Sequence, residues 1–135
     1  MDLQFNPIVG GKVFKESFNF NLNNDLQQSI LSLTTCFQVS ELTLSLVRCR
    51  EPESYKTSPH AKALNDCAQI CTTAASFLQR ESDLHEIILK AAADICRKTA
   101  DSLKAASDKD GIMQSCAKVC YQCADSCEKT AAIHH

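Results

Sequence analysis

The chain carries Cys116-x3-Cys120-x2-Cys123-x3-Cys127, four cysteines at steps of four, three and four with no glycine or proline among them. A helix turns about 100° per residue, so those steps bring all four sulfurs within about 60° of one another. They form a thiol stripe along one face. The same frame recurs upstream: Ala92-Ala-Asp-Ile-Cys96-Arg-Lys-Thr99-Ala-Asp-Ser-Leu103 aligns with Cys116-Ala-Lys-Val-Cys120-Tyr-Gln-Cys123-Ala-Asp-Ser-Cys127. It pairs Ala93 with Ala117, Cys96 with Cys120, and Ala100-Asp-Ser with Ala124-Asp-Ser. Cys67-Ala-Gln-Ile-Cys71 fits it as well, with Ala74 and Leu78 in the last two slots. The repeat marks a core face, and its filling with cysteine marks chemistry.

Such a frame needs helices, and the composition supplies them. Among 135 residues, 44% are hydrophobic and only three are glycine and three proline, which fits one helical domain with a substantial core. Asn24 or Asp25 is a good cap for a first helix through Leu26, Ile30, Leu33, Phe37, Leu44 and Val47, stopping before Pro52. A second helix runs from about His60 to Gln79, with Ser58 as cap and Pro59 in the first turn. A third, capped by Ser82 or Asp83, runs to about Ala106. After a break at Asp108 to Gly111, a fourth runs from about Ile112 to Ala131. Short connections between helices of similar length predict an all-α fold, an antiparallel up-down-up-down four-helix bundle over 24–131. Residues 1–23, with Pro7, Gly10-Gly11 and Phe18-x-Phe20-x-Leu22, read as an extended N-terminal arm, and 132–135 as a C-terminal tail.

A net charge of −2 with interspersed acids and bases gives no footprint for nucleic acid. No basic-then-apolar leader opens the chain and no unbroken apolar run approaches the roughly 18 residues of a membrane span. The expectation is a cytoplasmic protein without membrane or nucleic-acid partners. No Ser-His-Asp pattern, phosphate loop or paired carboxylates point to an enzyme.

Nine cysteines, an odd number, argue in a reducing compartment for metal or thiol chemistry over disulfides. At about 1.5 Å per residue, Cys36, Cys71, Cys96 and the Cys120/Cys123 pair come to one layer near mid-bundle. Cys67 and Cys116 fall nearer the end where the second helix begins, Cys127 nearer the other, and Cys49 on the outside. A buried cysteine also serves as a small apolar filler. Eight aimed at one interior are better explained by a soft cation that takes the place of the thiol protons. Structural zinc and iron–sulfur clusters usually draw their cysteines from loops, whereas copper(I) prefers soft sulfur and accepts thiolates in a rigid ladder, so copper(I) ranks ahead of zinc. The metal ligands are then Cys36, Cys67, Cys71, Cys96, Cys116, Cys120, Cys123 and Cys127, with the pairs Cys67/Cys71, Cys116/Cys120 and Cys123/Cys127 as serial sites. His60 and Met113, at one end, are candidates for a port through which copper arrives.

On His60 with Leu64-x2-Cys67-Ala-x-Ile-Cys71, Leu84-His85, Ala93-x-Ile-Cys96 and Met113-Gln-x-Cys116-Ala-x-x-Cys-x-x-Cys-Ala-x-x-Cys127, the chain resembles the cysteine-rich four-helix-bundle proteins that include the bacterial cytosolic copper storage proteins. The likeness spans roughly residues 24 to 131. It implies a lumen lined with cysteines that holds copper(I), and a homo-oligomer, commonly a tetramer. Ser29, Ser40, Leu89, Ala92, Thr99 and Leu103 stand where members of that family tend to carry cysteine, making this a cysteine-depleted member. Two functions are therefore in play: a protein that stores or buffers copper(I) through thiolates, and a metal-free helical scaffold or interaction protein that kept the bundle.

Overall fold

The structure is a computed structural model that describes residues 24–106 and 111–133. Four helices form the frame: α1 (Asn24–Arg50), α2 (Pro59–Gln79), α3 (His85–Lys104) and α4 (Ile112–Ile133), with a short 3-10 turn at Tyr55–Thr57. Residues 1–23, assigned to an arm, residues 107–110 at the last break, and His134 and His135 lie outside the described residues; Ala132 and Ile133, expected in the tail, belong to α4.

Local chemistry sets most of the boundaries. Asp25 sits in the first turn of α1, and Arg48 and Arg50 in its last, each complementing the helix dipole. Pro59 opens α2 at a position whose N–H would be unpaired in any case, and the Ser58 hydroxyl accepts from the Ala61 N–H at 3.3 Å. The end of α2 is closed by Ser82 N–H to Phe77 C=O (3.0 Å) and Glu81 N–H to Leu78 C=O (3.1 Å), with Glu81 at φ 54°. That closure changes the start of α3. Neither Ser82 nor Asp83 is its cap: Leu84 holds that position with no side-chain bond, and Ser82 is committed to the turn, its hydroxyl accepting from the Leu84 N–H at 3.1 Å. Gly111, at φ 75°, turns the chain into α4 through its carbonyl bond to Ser115 N–H.

Each helix packs on its sequence neighbours, and α1 closes the ring against α4. Cross-bonds make the neighbours antiparallel. Ser29, early in α1, meets Thr130, late in α4 (2.6 Å); His60, early in α2, meets Ser102, late in α3 (3.1 Å). Arg97 on α3 holds Asp125 (2.8 Å) and Glu128 (2.5 Å) of α4, and Tyr121 donates to Asp101 across the same seam. The bundle is thus up-down-up-down.

The interior stripe of α1 differs from the predicted one. Ser29, Leu33, Cys36, Ser40, Thr43, Leu44 and Val47 are buried, while Leu26, Ile30 and Phe37 are only partly so, flanking the core. The seam is marked by small polar and thiol side chains because it must meet the thiol stripe of α4. Its larger apolar neighbours fill the grooves beside it. This helix is also long and apolar enough, by length and composition, to cross a membrane. Counting unbroken apolar residues missed this, since Ser, Thr and Gln interrupt the run without adding charge. Here α1 packs on α2 and α4, with one face in the core.

Candidate metal centre

Eight cysteines are buried and Cys49 alone is exposed, and all nine are free thiols. Cys36 comes from the middle of α1, Cys67 and Cys71 from α2, Cys96 from α3, and Cys116, Cys120, Cys123 and Cys127 from α4. Antiparallel packing brings their midpoints to one height, and side chains on every helix lean toward its N-terminus, so neighbours lean in opposite directions and interleave.

Two sulfur groups result. Cys36, Cys71, Cys96 and Cys123 give one sulfur from each helix, all within 4.8 Å of one another. Cys36, Cys67 and Cys120 form a second, with separations of 3.6 Å (Cys36 to Cys67), 3.8 Å (Cys36 to Cys120) and 3.9 Å (Cys67 to Cys120). The centre of that triangle lies about 2.2 Å from each sulfur, close to the roughly 2.3 Å of a metal–thiolate bond. Cys67 also approaches Cys96 at 3.8 Å, and Cys71 approaches Cys96 at 3.7 Å, so the groups are contiguous and Cys36 belongs to both.

Cys67 was expected nearer the end where α2 begins, and the structure moves it into the centre. A residue one turn away is about 6 Å along the axis, and its lean toward the helix N-terminus is met by sulfurs leaning back from α1 and α4. The Cys67/Cys71, Cys116/Cys120 and Cys123/Cys127 pairs stand one helical turn apart on one face, but both close groups are built across helices. Cys116 and Cys127 lie outside these groups, one on each side.

The protons are shared unevenly. Cys36 is held far below the ordinary thiol range, chiefly by hydrogen bonds from Cys120 and then Cys123. Cys67 is lowered to about 4, the bond with Cys120 leading. Cys71 and Cys96 are raised by contact with Cys123 and then Cys36, Cys120 by Cys116 and then Cys36, and Cys123 by Cys127 and then Cys36. The contacts around Cys36 therefore favour its thiolate most, with the neighbouring thiols as donors. A cation entering this pocket would find thiolate at its centre and take the place of the remaining protons.

Ser40, one turn along α1 from Cys36, donates its hydroxyl to the Cys67 sulfur at 3.6 Å. Sequence reading noted Ser40 only as a missing cysteine; its i, i+4 spacing from Cys36 was the available signal for this contact. The Ser29 hydroxyl pairs with Thr130 (2.6 Å) and Ser126 (3.2 Å) at the Cys127 end. His60 pairs with Ser102, and Met113 packs against the edge of the core; neither joins the sulfur groups.

Comparison with known proteins bears on the same residues. The sequence model of the copper storage protein family matches residues 22–132. Among solved structures, the copper(I)-bound copper storage protein BsCsp3 superposes with a TM-score of 0.72 at 25% identity, covering 80% of this chain and 99% of that one. The apo form of copper storage protein 3 from Bacillus subtilis gives 0.67 at 26% identity, covering 78% and 97%. A protein from Nitrosospira multiformis, Nmul_A1745, gives 0.68 at 29%, covering 82% and 97%. No curated protein sequence matches the chain.

Proposed function

Because the chain belongs to the copper storage protein family, we propose that it stores or buffers copper(I) on thiolates inside the bundle, within the cytoplasm. The observation that carries this reading is the Cys36, Cys67, Cys120 triangle, whose size suits a soft cation bound by three sulfurs. Cys36 then serves as a bridging thiolate to a second ion among Cys71, Cys96 and Cys123. Cys116 and Cys127 extend the ligand set toward the two ends. The copper bound is held as cargo, and catalysis is not part of the proposal.

Zinc is a second reading, favoured by the tetrad, since four mutually close thiolates can close a tetrahedron. The triad works against it, leaving a zinc ion one ligand short. Relatives in the family imply a homo-oligomer, commonly a tetramer, and exposed Leu84, Ile87 and Ile133, on helix ends remote from Cys116, offer apolar surface for such contacts. Neither nucleic acid nor a membrane enters the proposed role.

Anaerobic titration of the reduced protein with copper(I) against a competing chelator, beside a zinc control, tests the proposal. Uptake of more than one copper per chain is expected, and replacing Cys116, Cys120, Cys123 and Cys127 together by serine should abolish it. Failure of the native protein to compete, with all nine thiols still titratable, would leave the bundle as a metal-free scaffold.

A further inference from the structure

Along α1, Thr34, Thr43 and Ser45 each donate a hydroxyl to the carbonyl four residues back, at 2.8, 2.8 and 3.1 Å, as serine and threonine inside helices commonly do. Ser40 does not. It is fully buried, and its one hydrogen bond among the described residues crosses to α2 and reaches the Cys67 sulfur at 3.6 Å. From the tetrad of Cys36, Cys71, Cys96 and Cys123, one turn toward the start of α2 leads on the same four faces to Ser40, Cys67, Thr99 and Cys120, all buried. This next layer holds two thiols and two hydroxyls, and the sulfur triangle is its thiol half completed by Cys36. The Thr99 hydroxyl is committed to the Ala63 carbonyl at 3.1 Å. Among the described residues, Ser40 therefore gives the triangle the only hydrogen bond it receives from anything but another thiol.

We propose that Ser40 is a positioning residue for copper(I), holding the copper-bound sulfur of Cys67 in the triangle through a hydrogen bond that survives loading. The inference rests on the copper reading above. Each copper takes the place of thiol protons, so the hydrogen bonds that thiols give one another vanish as the site fills. The serine hydroxyl keeps its proton, because copper(I) prefers sulfur to a hard alcohol oxygen. Three thiolates outweigh one copper(I), and the negative charge left over is buried, where it is stabilised by the polar groups that face it in place of water. The Ser40 hydroxyl is such a group. Its bond strengthens as the sulfur passes from thiol to thiolate, since hydrogen bonds to ionised groups are roughly twice as strong as neutral ones. Ser40 thus favours the loaded site over the empty one and keeps the Cys67 sulfur beside those of Cys36 and Cys120.

Chelator competition on the full reduced chain tests this, with the copper(I)–thiolate absorption followed alongside. Ser40→Ala should weaken one of the bound coppers by about tenfold, the low end for loss of an outer-shell partner. Total occupancy should stay native, because all eight buried thiols remain. Loss of the donor also raises the energy of the sulfur lone pair, so the sulfur-to-copper charge-transfer band should move to longer wavelength. Thr99→Val is the control within the same layer. It removes a buried hydroxyl bonded to backbone, and should lower the melting midpoint of the empty chain while leaving copper affinity and the band at native values. Native affinity with an unmoved band in Ser40→Ala, or an equal loss of affinity in Thr99→Val, would overturn the role of Ser40 while leaving copper storage intact. A native chain that takes up no copper would instead overturn the functional reading itself.

Discussion

Cys36 is the only thiol shared by both sulfur groups, and the hydrogen bonds it receives from Cys120 and Cys123 favour its thiolate. Cys36→Ser should therefore remove the corner of one site and the bridge to the other. Copper(I) affinity, measured by chelator competition, should fall by at least the roughly hundredfold that losing an outer-shell partner costs a metal site. Cys127→Ser, outside both groups, should leave that affinity close to native. Protonation sets a second expectation. Cys71, Cys96, Cys120 and Cys123 hold their protons more tightly than free thiols, so binding must displace them, and acid competes with copper. Affinity should rise with pH, on the order of tenfold per pH unit for each proton released. Cys67, lowered to about 4, is already a thiolate near neutrality and adds nothing to that slope. A pH-independent affinity between about pH 6 and about pH 8 would contradict this proton inventory.

Helix ends show where local sequence speaks clearly and where it does not. Ser58 and Pro59 announce α2 through a hydroxyl that caps an orphan N–H and a ring already set for helix, and the structure uses both. The start of α3 is less legible. Ser82 looks like a cap, yet the two-residue closure of α2 has already claimed it, and only knowledge of where α2 ends reveals that. That closure places Glu81 in the left-handed region, at φ 54°, where a β-carbon is unfavourable. Glu81→Gly should raise the unfolding free energy by up to about 1 kcal/mol, read by denaturant melts, because glycine adopts this conformation without strain. A loss of stability would mean that the Glu81 side chain contributes more than its backbone costs.

At the scale of the bundle, the thiol cluster draws on every helix, and metal binding is coupled to the whole fold. Every sulfur of the tetrad comes from a different helix, so an ion there cross-links all four. Free copper(I) at about a thousand times its dissociation constant should stabilise the folded state by about 4 kcal/mol. For a chain of this size that raises the thermal midpoint on the order of 10 °C. The variant lacking all four α4 cysteines should show no such rise, and an equal rise would place the metal outside the lumen. The four-helix frame, the inward stripe of cysteine on α4 and the choice of a soft metal follow from the sequence, because helical periodicity and thiol chemistry are local properties that spacing reveals. The grouping of Cys36 with Cys67 and Cys120, and the placing of Cys116 and Cys127 on either side of it, depend on how four antiparallel helices interleave. The lean of each side chain and the axial offset between helices set those distances to within a few ångströms, and only packing fixes that offset.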